Sequence, residues 1–212
     1  MSITLAFPDL TPRERYKLLC ATVMPRPIAL ITTVDCNGVV NAAPFSFFNV
    51  FSEDPALVVV GLQHKPGNQA KDTTRNVAET GIFCVNLVDE ALAEQMNICA
   101  IDFPPDESEI DAAALTLSDG IDVAVPHIAE APFALECRRF TSMVFGHGRE
   151  LLVGEVLRLH ARDGLLDREQ MRIVEDAYRP IGRLFGDGYA RQNDRFELKR
   201  QTHQEWKART GT

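Results

Sequence analysis

What most limits the folds open to this chain is the order of its short apolar runs, and the first two already make a hairpin. Residues 28–34 (IALITTV) are β-branched and strand-sized, residues 35–38 (DCNG) end in an Asn-Gly pair, and residues 39–43 return at strand length. Asn-Gly accepts positive φ, so this spacing predicts two antiparallel strands joined by a tight turn. Before them, residues 11–21 predict a short helix with Pro12 in its first turn, and Pro25-Arg26-Pro27 a stiff extended lead-in. After them, an aromatic run at 45–51 (FSFFNVF) precedes Asp54-Pro55 and a further strand at 56–61. Residues 62–70 read as a polar loop. A helix follows over 73–80, with Asp72 or Thr73 as its cap and Gly81 closing it, then a strand at 82–88 and a helix at 90–99. Strands at 134–140 and 151–160, a turn at Asp163-Gly164 and a helix at 168–177 complete the order. Regular β-α-β-α alternation is missing, which argues against a parallel sheet and for a mainly antiparallel barrel with peripheral helices. Without repeats or a dividing linker, the 212 residues are expected to form one domain.

Charge narrows the partners. The formal net charge of −8 argues against nucleic acid and means that an anionic ligand needs local donors. The N-terminal residues lack a basic stretch followed by a long apolar run, and no apolar run is long enough to span a bilayer, so a soluble cytoplasmic protein is expected. The five cysteines are widely spaced without C-x-x-C and read as reduced thiols, mostly buried. No phosphate-loop motif, strand-linked G-x-G-x-x-G, H-E-x-x-H or G-x-S-x-G occurs. Gly182, Gly186 and Gly188 lack a βαβ context and read as a turn. The acidic stretch within 100–119 reads as a solvated face. Any chemistry is therefore expected to come from an organic cofactor.

Two stretches could hold one. The returning hairpin strand runs into Asn41-Ala42-Ala43-Pro44-Phe45-Ser46, where small residues let a flat ring approach the backbone and Ser46 offers a hydroxyl. Lys71 offers a positive charge, and Thr73 a hydroxyl at a helix start, where free N–H groups favour anions. Together they suit a dianionic phosphate. Taken singly, Asn41 also fits a strand end, Ser46 a turn cap, and Lys71 with Thr73 an exposed helix start.

The stretches RPIALITT, NAAPFSFFNVFSEDPALVVVG and KDTTRNVAETGIFCVNLV resemble the flavin reductase-like family of FMN-binding split barrels, including its flavoredoxin group. So do AEQMN at 93–97, PHIAEAPFALEC at 126–137, FGHGRELLVGEV at 145–156 and RPIGRLFGDGYAR at 179–191, so the likeness covers about residues 20–200. The resemblance implies a six-stranded antiparallel Greek-key split barrel that forms a homodimer, with FMN near the subunit interface. It puts Thr32, Thr33 and Asn41–Pro44 (with Ala42 and Ala43) along the isoalloxazine and ribityl chain, and Ser46, Phe47 and Phe48 at the ribityl-phosphate end. Lys71 and Thr73 complete the phosphate site, with Gly61 and Asn86 nearby. Phe45 and Phe51 are expected to pack as core. His147 falls where relatives carry a Gly-Asp-His pattern, here shortened, and is implied near the nicotinamide and flavin face. A loop histidine without a role fits that position equally.

The function implied is NADH- or NADPH-dependent flavin reduction, serving a partner monooxygenase where reduced FMN leaves. A flavoredoxin-like electron-transfer protein serving protein partners and a non-catalytic flavin-binding protein are the other readings that the same fold allows.

Overall fold

The structure is a computed structural model that describes residues 2–65, 67, 69–104, 107–146 and 148–210. Helix α1 (Pro12–Thr22) leads into strands β1 (Ala29–Val34), β2 (Val40–Phe45), β3 (Phe48–Glu53) and β4 (Ala56–Gln63). Helix α2 (Asp72–Thr80), strand β5 (Ile82–Leu87) and the short helices α3 (Ala93–Ile98) and α4 (Glu109–Ala112) follow. Next come the two-residue strands β6 (Leu117–Ser118) and β7 (His127–Ile128) and the long strands β8 (Phe133–Phe145) and β9 (Arg149–Ala161). Strands β10 (Leu166–Asp167), β11 (Arg172–Ile173), β12 (Ile181–Arg183) and β13 (Tyr189–Arg191) and helix α5 (His203–Thr210) end the chain.

One antiparallel sheet dominates, with strand order β2-β1-β5-β8-β9-β4-β3. It has seven strands rather than six, because the aromatic run contributes its own strand, β3, paired with β4 from Phe48↔Val60 to Glu53↔Ala56. Among the described residues, no pairing joins the two outer strands, β2 and β3. The first hairpin forms as its sequence predicts: Thr33 faces Asn41, Thr32 faces Ala42, and Gly38 takes φ +83° at the turn.

Strand β1 separates two hydrophobic clusters. Ala29 and Ile31 enter one with Val58, Val60, Phe83, Val85 and Leu152, while Ile28 and Leu30 enter the other with Leu92, Met96 and Ile128. Successive side chains point to opposite faces, so a strand covered on both faces is apolar along its first part, while buried Thr32 and Thr33 further on are hydrogen-bonded. Gly154 belongs to the first cluster's packing: a Cβ there would sit 2.3 Å from Phe83 Cζ, so the ring lies where a side chain would otherwise be.

Two helices depart from expectation. The one predicted at 90–99 divides into a 3₁₀ turn (Glu90–Leu92), capped by Asp89 Oδ1 accepting Leu92 N–H at 3.2 Å, and α3. The one predicted at 168–177 is instead the β10–β11 hairpin and a 3₁₀ turn. Asp167 Oδ1 accepts from the N–H groups of Glu169 and Gln170 at 3.0 and 3.1 Å, as a helix cap does. Met171 then takes φ +51°, the chain doubles back, and Leu166 pairs with Ile173. Of the three glycines read as a turn, Gly186, at φ +63°, and Gly188 lie in the connection between β12 and β13, whereas Gly182 is a strand residue of β12 paired with Ala190. No helix of the described residues is long and apolar enough to cross a membrane.

Candidate functional site

Helix α2 begins beside the end of the first hairpin and is bonded to it by two side-chain contacts. Asn41 Nδ2 on β2 donates to Thr73 Oγ1 at 3.1 Å, and Asn76 Nδ2, one turn along α2, donates to Thr33 Oγ1 at 3.0 Å. Lys71, rather than Asp72 or Thr73, occupies the cap position in extended conformation (φ −70°, ψ 163°), and among the described residues no side chain caps the helix. Its first-turn N–H groups therefore carry the unmet donor capacity and partial positive charge of a helix start. Gly81 ends the helix at φ +73°, donating its N–H to Val77 O at 3.0 Å, as the sequence predicts.

This start opens on a cleft of about 560 Å³. Asn41, Ala43, Pro44 and Phe45 of β2 form one wall, and Lys71, Asp72 and Thr73 another. Gln63, His64 and Lys65 line it as well, as do residues 99–103 and Glu109. Lys71 Nζ lies 3.8 Å from Asp102 Oδ1, with both side chains substantially exposed. Burial acts to raise the Asp72 carboxyl, but the hydrogen bond from Arg75 (2.6 Å) and the charge of Lys65 (3.7 Å) outweigh it and hold it low. Burial pushes the Glu109 carboxyl up, and the negative charge of Asp72 adds to that. Cys99 is buried, and its thiol is pushed up to about 12 by burial and by the Glu109 charge, so it stays a neutral thiol rather than a nucleophile.

A second cleft of about 430 Å³ shares Pro44, Phe45, Gln63 and Lys71 with the first. Ser46, Phe47 and Gly61 line it with Tyr16 of α1, Phe145, Arg149, Glu150 and Leu151. Gly61 donates its N–H to Phe47 O at 2.6 Å, and a Cβ on it would meet Phe47 Cβ at 3.0 Å. The close approach of β4 to the β2–β3 connection thus favours glycine there.

The residues expected at a flavin site divide accordingly. Asn41, Ala43, Pro44, Lys71 and Thr73 line the first cleft, and Pro44, Ser46, Phe47, Gly61 and Lys71 the second. Thr32, Thr33, Ala42, Phe48 and Asn86 line neither and are buried. Thr32 Oγ1 donates to Pro126 O at 2.7 Å. Asn86 donates to Leu30 O at 2.9 Å and Thr32 Oγ1 at 3.2 Å, and accepts from Ile128 N–H at 2.8 Å. Ala42 and Phe48 join the two hydrophobic clusters. These five side chains brace the strands that carry the cleft walls. Phe45 packs partly buried against the cluster of Val58, Phe83 and Leu152 while also lining both clefts, whereas Phe51 is 68% exposed and does not pack as core. His147 lies outside the described residues.

The structure adds residues that sequence reasoning passed over. Gln63, His64 and Lys65 lay in a stretch read only as polar loop, and His64 Nε2 stands 3.7 Å from Glu150 Oε2. Asp102 and Glu109 belong to the acidic stretch read as a solvated face, yet they wall the first cleft. Tyr16 comes from a helix whose sequence carries no ligand-binding signal.

Comparison with known proteins gives the family of the chain. Residues 21–182 match the family described as flavin reductase like domain. The uncharacterized protein YwrF of Bacillus subtilis (strain 168) is 40% identical over 197 residues, which cover 91% of this chain and 96% of that protein. The solved structure of 2-nitrobenzoate 2-nitroreductase NbaA from Pseudomonas fluorescens superposes with a TM-score of 0.87 at 38% identity, covering 95% of this chain and 98% of the other. Nitrilotriacetate monooxygenase component B from Bacillus cereus gives a TM-score of 0.88 at 36% identity, covering 93% and 99%. By sequence and by fold alike, this chain belongs to the flavin reductase like domain family.

Proposed function

We propose that this chain is an FMN-binding oxidoreductase that takes hydride from NADH or NADPH and passes the electrons on, as free reduced flavin to a partner monooxygenase or directly to an acceptor. The observation that carries the reading is the convergence of Lys71, Thr73, Asn41 and the uncapped start of α2 on one cleft. Those groups fit a dianionic phosphate, whose binding a chain of net charge −8 must secure locally.

In this reading Lys71 and the α2 N–H groups hold the phosphate. Thr73, already oriented by Asn41, presents its hydroxyl beside them. The small side chain of Ala43 and the ring of Pro44 let the flavin lie close to β2, and Ser46 and Phe47 bound it where the two clefts join. Thr32, Thr33, Ala42, Phe48 and Asn86 act from behind, fixing β1, β2 and β5. Bound flavin would supply the redox chemistry, so the contribution of the protein is position and local field. Similarity to NbaA, a nitroreductase, and to the component of a monooxygenase favours an oxidoreductase over a passive flavin carrier.

The test mixes purified protein with FMN and either NADH or NADPH and follows loss of nicotinamide absorbance. Consumption with one or both donors is expected. No consumption by protein that retains FMN transfers the assignment to an electron-transfer or non-catalytic flavoprotein.

A further inference from the structure

The second cleft has a chemistry that phosphate binding does not account for. Tyr16, Phe47 and Phe145 reach it from α1, the β2–β3 connection and the end of β8, and are 54%, 46% and 54% exposed. The Tyr16 and Phe47 rings stand 6.3 Å apart between centroids, tilted by 35°. Exposed aromatic surface gathered around a concavity marks a place for another planar group.

Beside the rings is Arg149, the first residue of β9. Its Nη1 donates to Gly148 O at 2.9 Å, and among the described residues no carboxylate pairs with it. The neighbouring Glu150 stands against His64 at 3.7 Å, and Lys71 on the shared wall against Asp102 at 3.8 Å. Arg149 is thus the lining cation without an acidic partner among the described residues. A planar guanidinium matches a carboxylate with two parallel N–H···O bonds.

We propose that this cleft is the recognition subsite for a small planar aromatic carboxylate, its ring among Tyr16, Phe47 and Phe145 and its carboxylate on Arg149. The proposal rests on the flavin reading in that the shared wall of Pro44, Phe45, Gln63 and Lys71 sets this ligand next to the flavin. It names the class of second ligand the site accepts.

The test is calorimetric titration of FMN-loaded protein with 2-naphthoate and with its neutral amide, 2-naphthamide, in wild type, Arg149→Gln and Arg149→Lys. Wild type should bind the acid about tenfold or more tightly than the amide. Arg149→Gln should abolish that preference while leaving amide binding unchanged, and Arg149→Lys, which keeps the charge and loses the fork, should fall between. Thermal melting verifies that each variant is folded. Equal wild-type affinities for acid and amide, or an undiminished preference in Arg149→Gln, overturns the proposal. Flavin content is measured on the same samples: protein that retains no FMN counts against the flavin site, while the acid-to-amide ratio still decides the role of Arg149.

Discussion

Lys71 carries more of the proposed binding than any other single side chain, because it is the cation at an uncapped helix start. Its pairing with Asp102 at 3.8 Å joins two exposed groups and contributes little, so it yields readily to a phosphate. A charge-assisted bond to phosphate is stronger, and its loss costs about 1.5–3 kcal/mol. Lys71→Ala is therefore expected to weaken FMN binding roughly 10- to 100-fold. Riboflavin, which has no phosphate, should lose little. Fluorescence titration of the variant with both flavins measures the difference, and equal losses would place the phosphate elsewhere. Residue chemistry explains why the meeting of Asn41, Lys71 and Thr73 on one cleft was legible in the sequence: a cation, a hydroxyl and an amide fall together beside a helix start. Thr32, Thr33 and Asn86 are polar residues in the same strands, yet their hydrogen bonds point inward. Pattern alone does not assign them a face, because both sides of β1 are buried and no polar alternation marks the outside.

Among the elements, β8 depends on an interior charge. Glu136 is fully buried and accepts N–H groups from Ile121, Asp122 and Val123 at 2.9, 2.6 and 2.8 Å, with His160 Nε2 of β9 at 2.5 Å. It thereby fastens the connection before β7 to the β8–β9 pair, and Arg158 of β9 reinforces the link through Asp122 at 2.7 Å. Burial alone would raise the Glu136 carboxyl, but these donors outweigh it and hold the pKa at about 2 against an ordinary 4.5. A carboxyl depressed on folding stabilises the native state above pH ~4.5, and that contribution fades as the pH falls towards ~2. Glu136→Gln is expected to cost roughly 1–3 kcal/mol at neutral pH and to lessen the further loss between pH ~4.5 and ~2. Melting curves at pH 7 and pH 3 for both proteins measure this, and an undiminished acid sensitivity in the variant would assign it to other groups. This tie was invisible in the sequence because three of its four partners are backbone N–H groups. The β10–β11 hairpin escaped for a related reason: Asp167 gives a helix-start signal, and the reversal at Met171 needs a positive φ that methionine rarely adopts. The first hairpin was legible because Asn37-Gly38 specifies its turn locally.

At the scale of the whole molecule, the main sheet ends in two outer strands with different surfaces. Strand β2 lies against α2, whereas β3 is an edge on which Val50 and Phe51 are 71% and 68% exposed. An apolar edge strand is a template for association unless something covers it. A second copy of this chain would meet that need, which is the physical support for the homodimer that the family resemblance implies, and Phe51 would then be interface rather than core. Family resemblance suggested the assembly, but the sequence could not show which surface serves it, because alternation in β3 is broken by a bulge between Val50 and Ser52. Lysine at both positions places like charges face to face across a symmetric interface while removing nothing from the interior. Wild type is expected to sediment at about twice the 23.6 kDa chain mass, and the Val50→Lys/Phe51→Lys variant as a single chain with an unchanged melting transition at low concentration. Analytical ultracentrifugation decides between the outcomes. A wild type that sediments as one chain removes the homodimer, and a double variant that still pairs moves the interface away from β3. Measuring FMN retention on the same two proteins then separates a flavin site completed by the partner from one that a single chain provides: only the first loses affinity when the pair comes apart.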